Sequence, residues 1–265
     1  MGECEEPRLN LNDKRGEDVL TILVINSKGG SGKTTLTTNL ASYYASKKMR
    51  TAIMDYDPQG SSLHWLQARP KTQHNIHGAN AAPAKGNGVL HSKQGWIPLD
   101  TEVQILDAPA GATGLLLKEL VRKANFIVIP VAPSPIDIRA TADFIKDLFL
   151  VGGAHTSKAK IAVVANRVRM RSSNNYAALE RFLTSLKLPF LTSISDSDNY
   201  LQAIEQGLGV FEMDESTTTS ERQELMPIVK WLEGQFPNRF GIRAEDKFAS
   251  LESSKKWAVY RGGIS

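Results

Sequence analysis

Apolar runs of strand length recur along this chain, and stretches with helical spacing separate them. Most of the runs are too continuous for a surface strand, which is typical of parallel strands that are buried on both faces. The predicted strands cover residues 20–25, 51–54, 103–106, 126–131 and 161–165, and the predicted helices cover residues 34–46, 115–123, 138–150 and 175–186. The alternation of strand and helix predicts an α/β fold, a doubly wound, mostly parallel sheet with helices on both faces.

One predicted domain, residues 20–236, contains all of these elements. A polar N-terminal extension precedes it at residues 1–19, and a C-terminal tail with an expected helix at 244–260 follows at residues 237–265. Within the domain, residues 69–94 have several glycines and prolines and few large apolar residues, which predicts a long loop or a short irregular insertion. The three histidines of this stretch are too loosely spaced, without an acid or a cysteine, to favour a metal site.

The composition of the chain is that of a globular protein and excludes several other classes. With 265 residues, 41% of them hydrophobic and 23% charged, the chain is long enough for one globular domain with a substantial core. The one cysteine, Cys4, excludes an intramolecular disulfide and a cysteine-rich metal site within one chain. No apolar run reaches the length of about 18 residues that a membrane span needs, and the acidic N-terminal stretch does not resemble a signal peptide. We therefore expect a cytoplasmic protein.

A glycine-rich segment, SKGGSGKTT at residues 27–35, follows the first predicted strand and opens the first predicted helix. This is the context of a phosphate-binding loop, because glycines let backbone N–H groups converge on phosphate oxygens at a helix N-terminus. Lys33 would neutralise the β- and γ-phosphates, and the hydroxyl of Thr34 would bind Mg²⁺. The segment therefore predicts a site for ATP and Mg²⁺.

Acidic residues follow two of the predicted strands. Asp107 ends an apolar strand, where a carboxylate at the carboxyl edge of the sheet can hold Mg²⁺ directly or through water. Asp55 and Asp57 lie two residues apart after another strand, so they are expected to face the same side. One of these two carboxylates would assist with Mg²⁺ and the other would orient the attacking water.

These segments together resemble one family. Residues 28–35 (KGGSGKTT) resemble the deviant Walker A motif of the ParA/MinD ATPases, which differs from the ordinary motif by Ser27 and by a second lysine, Lys28. Residues 54–60 (MDYDPQG) resemble the switch I segment of the family, residues 105–111 (ILDAPAG) its Walker B and switch II, and residues 165–167 (ANR) its adenine-contacting segment. The resemblance covers roughly residues 20–235.

The resemblance implies roles for particular residues. Asp57 would be the hydrolytic carboxylate, and Lys28 would reach the nucleotide of a second subunit, so that an ATP-bound homodimer forms. Lys28, Lys33 and Asp57 would be catalytic, and Thr34, Asp107 and Asp57 would bind the metal ion. The implied nucleotide contacts are Lys28, Gly29, Gly30, Ser31, Gly32, Lys33, Thr34, Thr35, Asn166 and Arg167.

Charge placement bears on which branch of the family the chain resembles. The whole chain carries +4, whereas residues 158–187 contain seven basic residues and one acid, a local +6 that suits a DNA backbone. Arg169, Arg171 and Lys187 are the expected DNA contacts. The tail is mixed in charge and is a weak match to the amphipathic membrane helix of MinD-like proteins. A single cysteine argues against the iron–sulfur relatives.

The sequence therefore leads to a hypothesis of a short ParA-like ATPase without an N-terminal DNA-binding domain. ATP would drive dimerisation, the dimer would bind nucleoid DNA nonspecifically, and a cargo-associated protein would stimulate hydrolysis. The cargo would be a plasmid, a chromosome region or an organelle such as the carboxysome. Three alternatives stay open: a MinD-like membrane-associated positioning ATPase, a small-molecule kinase, and a nucleotide-dependent scaffold with incidental turnover.

Overall fold

The computed structural model describes residues 19–83 and 96–234. Residues 1–18, the later part of the predicted insertion with His91, and the C-terminal tail with its expected helix lie outside the described residues. The bounds of the flanking segments therefore stay predictions.

The described chain forms a seven-stranded sheet in which every pair of neighbouring strands is parallel. Its order is β3-β2-β4-β1-β5-β6-β7, so β1 lies at the centre. This confirms the predicted doubly wound fold. The strands are β1 (Leu20–Val24), β2 (Thr51–Asp55), β3 (Ile76–Asn80), β4 (Val103–Asp107), β5 (Phe126–Val131), β6 (Lys160–Val168) and β7 (Phe190–Ser195).

Seven helices of the described chain cover the two faces of this sheet. They are α1 (Lys33–Ser46), α2 (Ser61–Ala68), α3 (Gly114–Lys123), α4 (Pro135–Leu150), α5 (Asn174–Ser185), α6 (Asp198–Glu205) and α7 (Glu215–Glu233). Side chains of α3, α4 and α5 pack in one apolar layer, and side chains of α1, α2, α6 and α7 pack in the other. Successive side chains of the central strand point to opposite faces of the sheet. Ile22 and Val24 therefore pack in the layer of α1, and Leu23 packs in the layer of α3.

The predicted loop at residues 69–94 is wrong in part, because β3 occupies residues 76–80 as the edge strand beside β2. Only two side chains of β3, Ile76 and Ala79, are buried. An edge strand with so few buried positions has no continuous apolar run, and periodicity therefore does not reveal it. The other edge strand, β7, has four partly exposed positions and was likewise not predicted, nor were α2, α6 and α7.

Candidate nucleotide-binding site

The glycine-rich loop connects the central strand to α1 at the carboxyl edge of the sheet. Gly30 and Gly32 have φ values of 74° and 93°, which L side chains rarely adopt. A Cβ at Gly32 would also lie 1.7 Å from the Asn166 side-chain nitrogen. The helix begins at Lys33 with no side chain capping its first N–H groups, which favours an anion at this end of the helix.

Lys33 lies within the loop and is largely buried. Its Nζ donates to the Lys28 carbonyl oxygen at 3.1 Å, which folds the side chain back across the loop. Burial lowers the pKa of Lys33, and the carboxylates of Asp107 and Asp57 act in the opposite direction. The lysine is therefore held between the loop and two acids, in a position suited to the phosphates of a nucleotide.

Thr34 and Asp107 form the part of the site that fits a metal ion. The Thr34 hydroxyl donates to Asp107 Oδ2 at 3.1 Å, and Asp107 is 1% exposed. Burial, and then the charge of Asp55, raise the pKa of Asp107 to about 7. Asp107 Oδ1 and Ser31 Oγ are buried without a hydrogen-bond partner among the described residues. A buried carboxylate oxygen beside a hydroxyl matches the oxygen ligands that Mg²⁺ prefers, so these residues fit the ion.

The two acids after β2 have different surroundings. Asp55 is fully buried, and its Oδ2 accepts from the Ser62 amide at 3.1 Å, the Ser62 hydroxyl at 2.7 Å and the Leu63 amide at 3.3 Å. Its Oδ1 accepts from the Asp57 amide at 2.9 Å. Asp57 is partly exposed, and its charge reaches Lys33. Asp55 thus organises the turn, and Asp57 is the acid of this pair whose charge acts on Lys33.

The segment after β6 forms a wall of the loop. Asn166 is buried, and its side-chain amide donates to the Ser31 carbonyl oxygen at 2.8 Å. Arg167 has a φ of 57°, a conformation that is uncommon outside glycine, and its Nη1 lies 3.5 Å from the Gly30 oxygen. The structure therefore brings both residues to the loop, and their contact with the adenine base stays a prediction.

Lys28 lies at the entrance of the loop and is partly exposed. Its backbone amide donates to Asn26 Oδ1 at 3.2 Å. The amide group of Asn26 in turn donates to the Pro130 carbonyl at 2.8 Å and to the Thr141 hydroxyl at 3.0 Å. Sequence reasoning missed Asn26 as the anchor of the loop. The signal was a polar residue at the end of a buried strand, which needs hydrogen-bond partners.

The basic residues predicted for DNA do not form one patch. Lys158 and Lys160 lie at the start of β6, and Lys187 precedes β7, so all three belong to the amino edge of the sheet. The carboxyl end of β6 carries Arg167, Arg169 and Arg171, which we call the arginine cluster. Since β6 has nine residues, about 30 Å separates the two groups at roughly 3.3 Å per residue. The arginine cluster shares its edge with the phosphate loop, whereas Lys187 does not.

Comparisons with known proteins agree with this geometry. The family model of the CobQ/CobB/MinD/ParA nucleotide binding domain matches residues 22–210. The maintenance of carboxysome distribution protein A of Halothiobacillus neapolitanus is 28% identical over 200 residues, which cover 73% of this chain and 87% of that protein. The chromosome-partitioning ATPase Soj of Thermus thermophilus is 30% identical over 130 residues, 47% of this chain and 51% of its own length.

Solved structures share the fold. A putative plasmid partition protein of Borrelia burgdorferi B31, bound to AMPPNP, has a TM-score of 0.62 at 15% identity, covering 80% of this chain and 99% of its own. The MinC:MinD cell division complex of Aquifex aeolicus gives 0.61 at 17% identity, over 82% and 96% of the two chains. Both solved structures have the nucleotide-binding fold described above. On the family match over most of its length, the chain belongs to the CobQ/CobB/MinD/ParA family of P-loop nucleotide-binding proteins.

Proposed function

We propose that this chain is a ParA-type ATPase, which dimerises with ATP, binds DNA without sequence preference and positions a cargo through partner-stimulated hydrolysis. The observation that carries the proposal is the shared carboxyl edge of the sheet, where Arg167 of the arginine cluster contacts Gly30 of the phosphate loop. Nucleotide state and a DNA-binding surface are then adjacent. An ATP switch for DNA binding needs such adjacency, because the nucleotide must change the surface that DNA contacts.

The chemistry of the site follows from its residues. Lys33, held between the loop and two acids, binds the β- and γ-phosphates. Thr34 and Asp107 would hold Mg²⁺, which supplies charge neutralisation at the phosphates when bound. Asp57, whose charge acts on Lys33, would orient the attacking water and assist at the metal ion. Lys28 stabilises the developing charge at the nucleotide of a second subunit, as an arginine finger does.

Apolar exposure near Lys28 supports the homodimer. Leu115 is 84% exposed and Ile136 is 70% exposed, at the first turns of α3 and α4. The Gly111 amide donates to the Ser27 oxygen at 3.0 Å, and the Ser27 hydroxyl lies 3.5 Å from the Ala140 oxygen, so both helices begin beside the loop entrance. A second copy of the chain would bury these apolar side chains and bring Lys28 to its nucleotide.

The family relationship supports the cargo and the location that we propose. The Halothiobacillus relative maintains carboxysome distribution, and Soj partitions chromosomes, which supports an intracellular body or a DNA region as the cargo. We place the protein in the cytoplasm on the nucleoid, with a cargo-associated protein as its stimulating partner. No described helix is long and apolar enough to cross a membrane.

The test is a mobility shift of the purified full chain on random-sequence duplex DNA, with ATP, with ADP and without nucleotide, at two salt concentrations. We expect a shift with ATP alone that weakens as salt rises. Lys33→Ala abolishes the shift and ATP turnover, whereas Lys71→Ala, at an exposed lysine after the end of α2, changes neither.

Two other results would replace the proposal. Absence of a shift in every nucleotide state, together with ATP-dependent binding to liposomes, would favour a membrane-associated positioning ATPase. A DNA shift that needs ATP, with phosphate release equal in wild type and Asp57→Ala, would favour a scaffold with incidental turnover.

A further inference from the structure

One carboxylate forms ion pairs with two residues of the arginine cluster. Asp196, which follows β7, accepts from Arg167 Nε at 3.3 Å through Oδ1 and from Arg169 Nε at 2.8 Å through Oδ2. The side chain of Asp196 is 24% exposed, whereas that of Arg169 is 80% exposed. Asp196 is itself a surface residue, and its carboxylate is the less exposed partner in both ion pairs.

The backbone around Asp196 is fixed by α7. Glu224 Oε2 accepts from both the amide and the hydroxyl of Ser195, each at 2.9 Å. Glu221, which is almost fully buried, accepts from the Ser197 hydroxyl. The Asp196 amide also donates to the Val168 oxygen at 3.3 Å. Because both neighbours of Asp196 are held in this way, its backbone stays beside the arginine cluster when an arginine turns towards solvent.

A carboxylate on a restrained backbone at this position has an electrostatic consequence for an approaching polyanion. Three arginines and one aspartate give the cluster a net charge of +2 rather than +3. A DNA phosphate that approaches Arg169 must compete with Asp196 for the same guanidinium, and it also meets the negative charge of Asp196 at short range. The exposed ion pair itself contributes little to the stability of the fold. Its effect is therefore on binding.

We propose that Asp196 is an internal counter-ion that sets the DNA affinity of the arginine cluster by competing with DNA phosphates for Arg169. The proposal rests on the proposed DNA-binding function. Asp196 keeps nonspecific binding weak, which a positioning ATPase needs if it is to leave DNA after hydrolysis. Replacement of the carboxylate by a neutral group of the same shape frees Arg169 for one further phosphate.

The experiment measures binding of the ATP-bound full chain to a fluorescent random-sequence duplex by anisotropy, at four salt concentrations. For Asp196→Asn we expect an affinity about fivefold to tenfold higher at ~0.1 M salt, and a salt slope steeper by about 0.9, the value of one added phosphate contact. The matched control is Asp100→Asn. It makes the same charge change at an exposed aspartate before β4, on the opposite edge of the sheet.

The same substitution in a chain that lacks Arg169 tests whether the gain in DNA affinity depends on that arginine. Asp196→Asn in an Arg169→Ala chain should lose most of the gain, since the freed guanidinium is absent. Equal affinities and slopes for Asp196→Asn and Asp100→Asn, in proteins with equal thermal midpoints, would overturn the counter-ion role while the proposed function stands. Absence of ATP-dependent DNA binding by the wild type and by every variant would overturn the proposed function, and the counter-ion role with it.

Discussion

The ends of β2 and β4 carry the same residue in the same register, yet the two residues differ in what they bind. Asp55 and Asp107 are paired across the parallel strands, and both are buried. The carboxylate of Asp55 accepts four hydrogen bonds from its own chain. Asp107 accepts one from Thr34 and keeps one oxygen without a partner among the described residues. One aspartate therefore stabilises the fold, and the other is available to a ligand.

The difference arises in the segment that follows each strand. After β2 the chain turns back so that the first turn of α2 directs its amides at Asp55, as a helix N-terminus favours for a carboxylate. After β4 the chain instead continues towards Gly111, whose amide donates to Ser27 of the phosphate loop. A buried acid with unused acceptor capacity is costly for the fold, and such sites are typical of function.

The largest effect that we expect is on ATP turnover, and it comes from replacing Asp107. Asp107→Asn should lower ATP turnover by about 10²- to 10³-fold, because the neutral amide is a poor ligand for Mg²⁺ at a site of developing charge. Steady-state phosphate release at saturating ATP and Mg²⁺ measures this. Asp100→Asn, at an exposed acid of the opposite edge, is the control and should keep wild-type turnover. Full turnover by Asp107→Asn would remove Asp107 from the metal site.

For stability we expect the opposite order, in which loss of the Asp55 carboxylate destabilises the fold. Asp55→Ala should lower the free energy of unfolding by about 3 kcal/mol, because the amides of Ser62, Leu63 and Asp57 lose a buried charged acceptor. Urea unfolding monitored by circular dichroism measures the change. Asp143→Ala, at an exposed acid of α4, should stay within about 0.5 kcal/mol of wild type. A loss below that limit for Asp55→Ala would contradict the structural role.

A pH series without Mg²⁺ or nucleotide sharpens the comparison. The fold raises the pKa of Asp107 from the ordinary aspartate value of 3.8 to about 7. Between those pH values the unfolded chain has released the proton that the folded chain keeps, so this group lowers stability as pH rises from about 4 to about 7. The Asp107→Asn chain has no carboxyl group at this position, so it does not lose stability in this way as pH rises. Its free energy of unfolding should therefore exceed that of wild type by about 4 kcal/mol at pH 8, and the excess should vanish near pH 4.

The smallest expected effect concerns one hydroxyl. Ser62→Ala removes the 2.7 Å hydrogen bond to Asp55 but keeps the backbone donors. The free energy of unfolding should fall by about 1.5 kcal/mol, the lower end of the contribution of one hydrogen bond to a charged acceptor, because the backbone donors remain. Turnover at saturating ATP should stay near wild type. A tenfold loss of turnover with unchanged stability would instead assign Ser62 to the nucleotide site.

Much of the fold and of the phosphate loop could be predicted because the signals are local. The central strand is a continuous apolar run, and the glycines, Lys33 and Thr34 lie within nine consecutive residues. The edge strands β3 and β7 escaped prediction because their pairing partners, rather than apolar runs of their own, define them. The predicted DNA contacts lie within 19 residues of one another, but α5 runs between Arg171 and Lys187 and returns the chain to the amino edge of the sheet.

The sequence by itself determined the kinds of groups at the carboxyl edge of the sheet: a glycine-rich loop, two lysines, a threonine and three acids that end or follow strands. Only the tertiary structure decided which of these groups form hydrogen bonds within the protein and which stay available to a ligand. Asn166 reaches Ser31 from 135 residues away, and Asp196 reaches Arg169 from 27 residues away. Such hydrogen bonds depend on strand order and on the path of the chain between strands, and no local pattern of residue types specifies either.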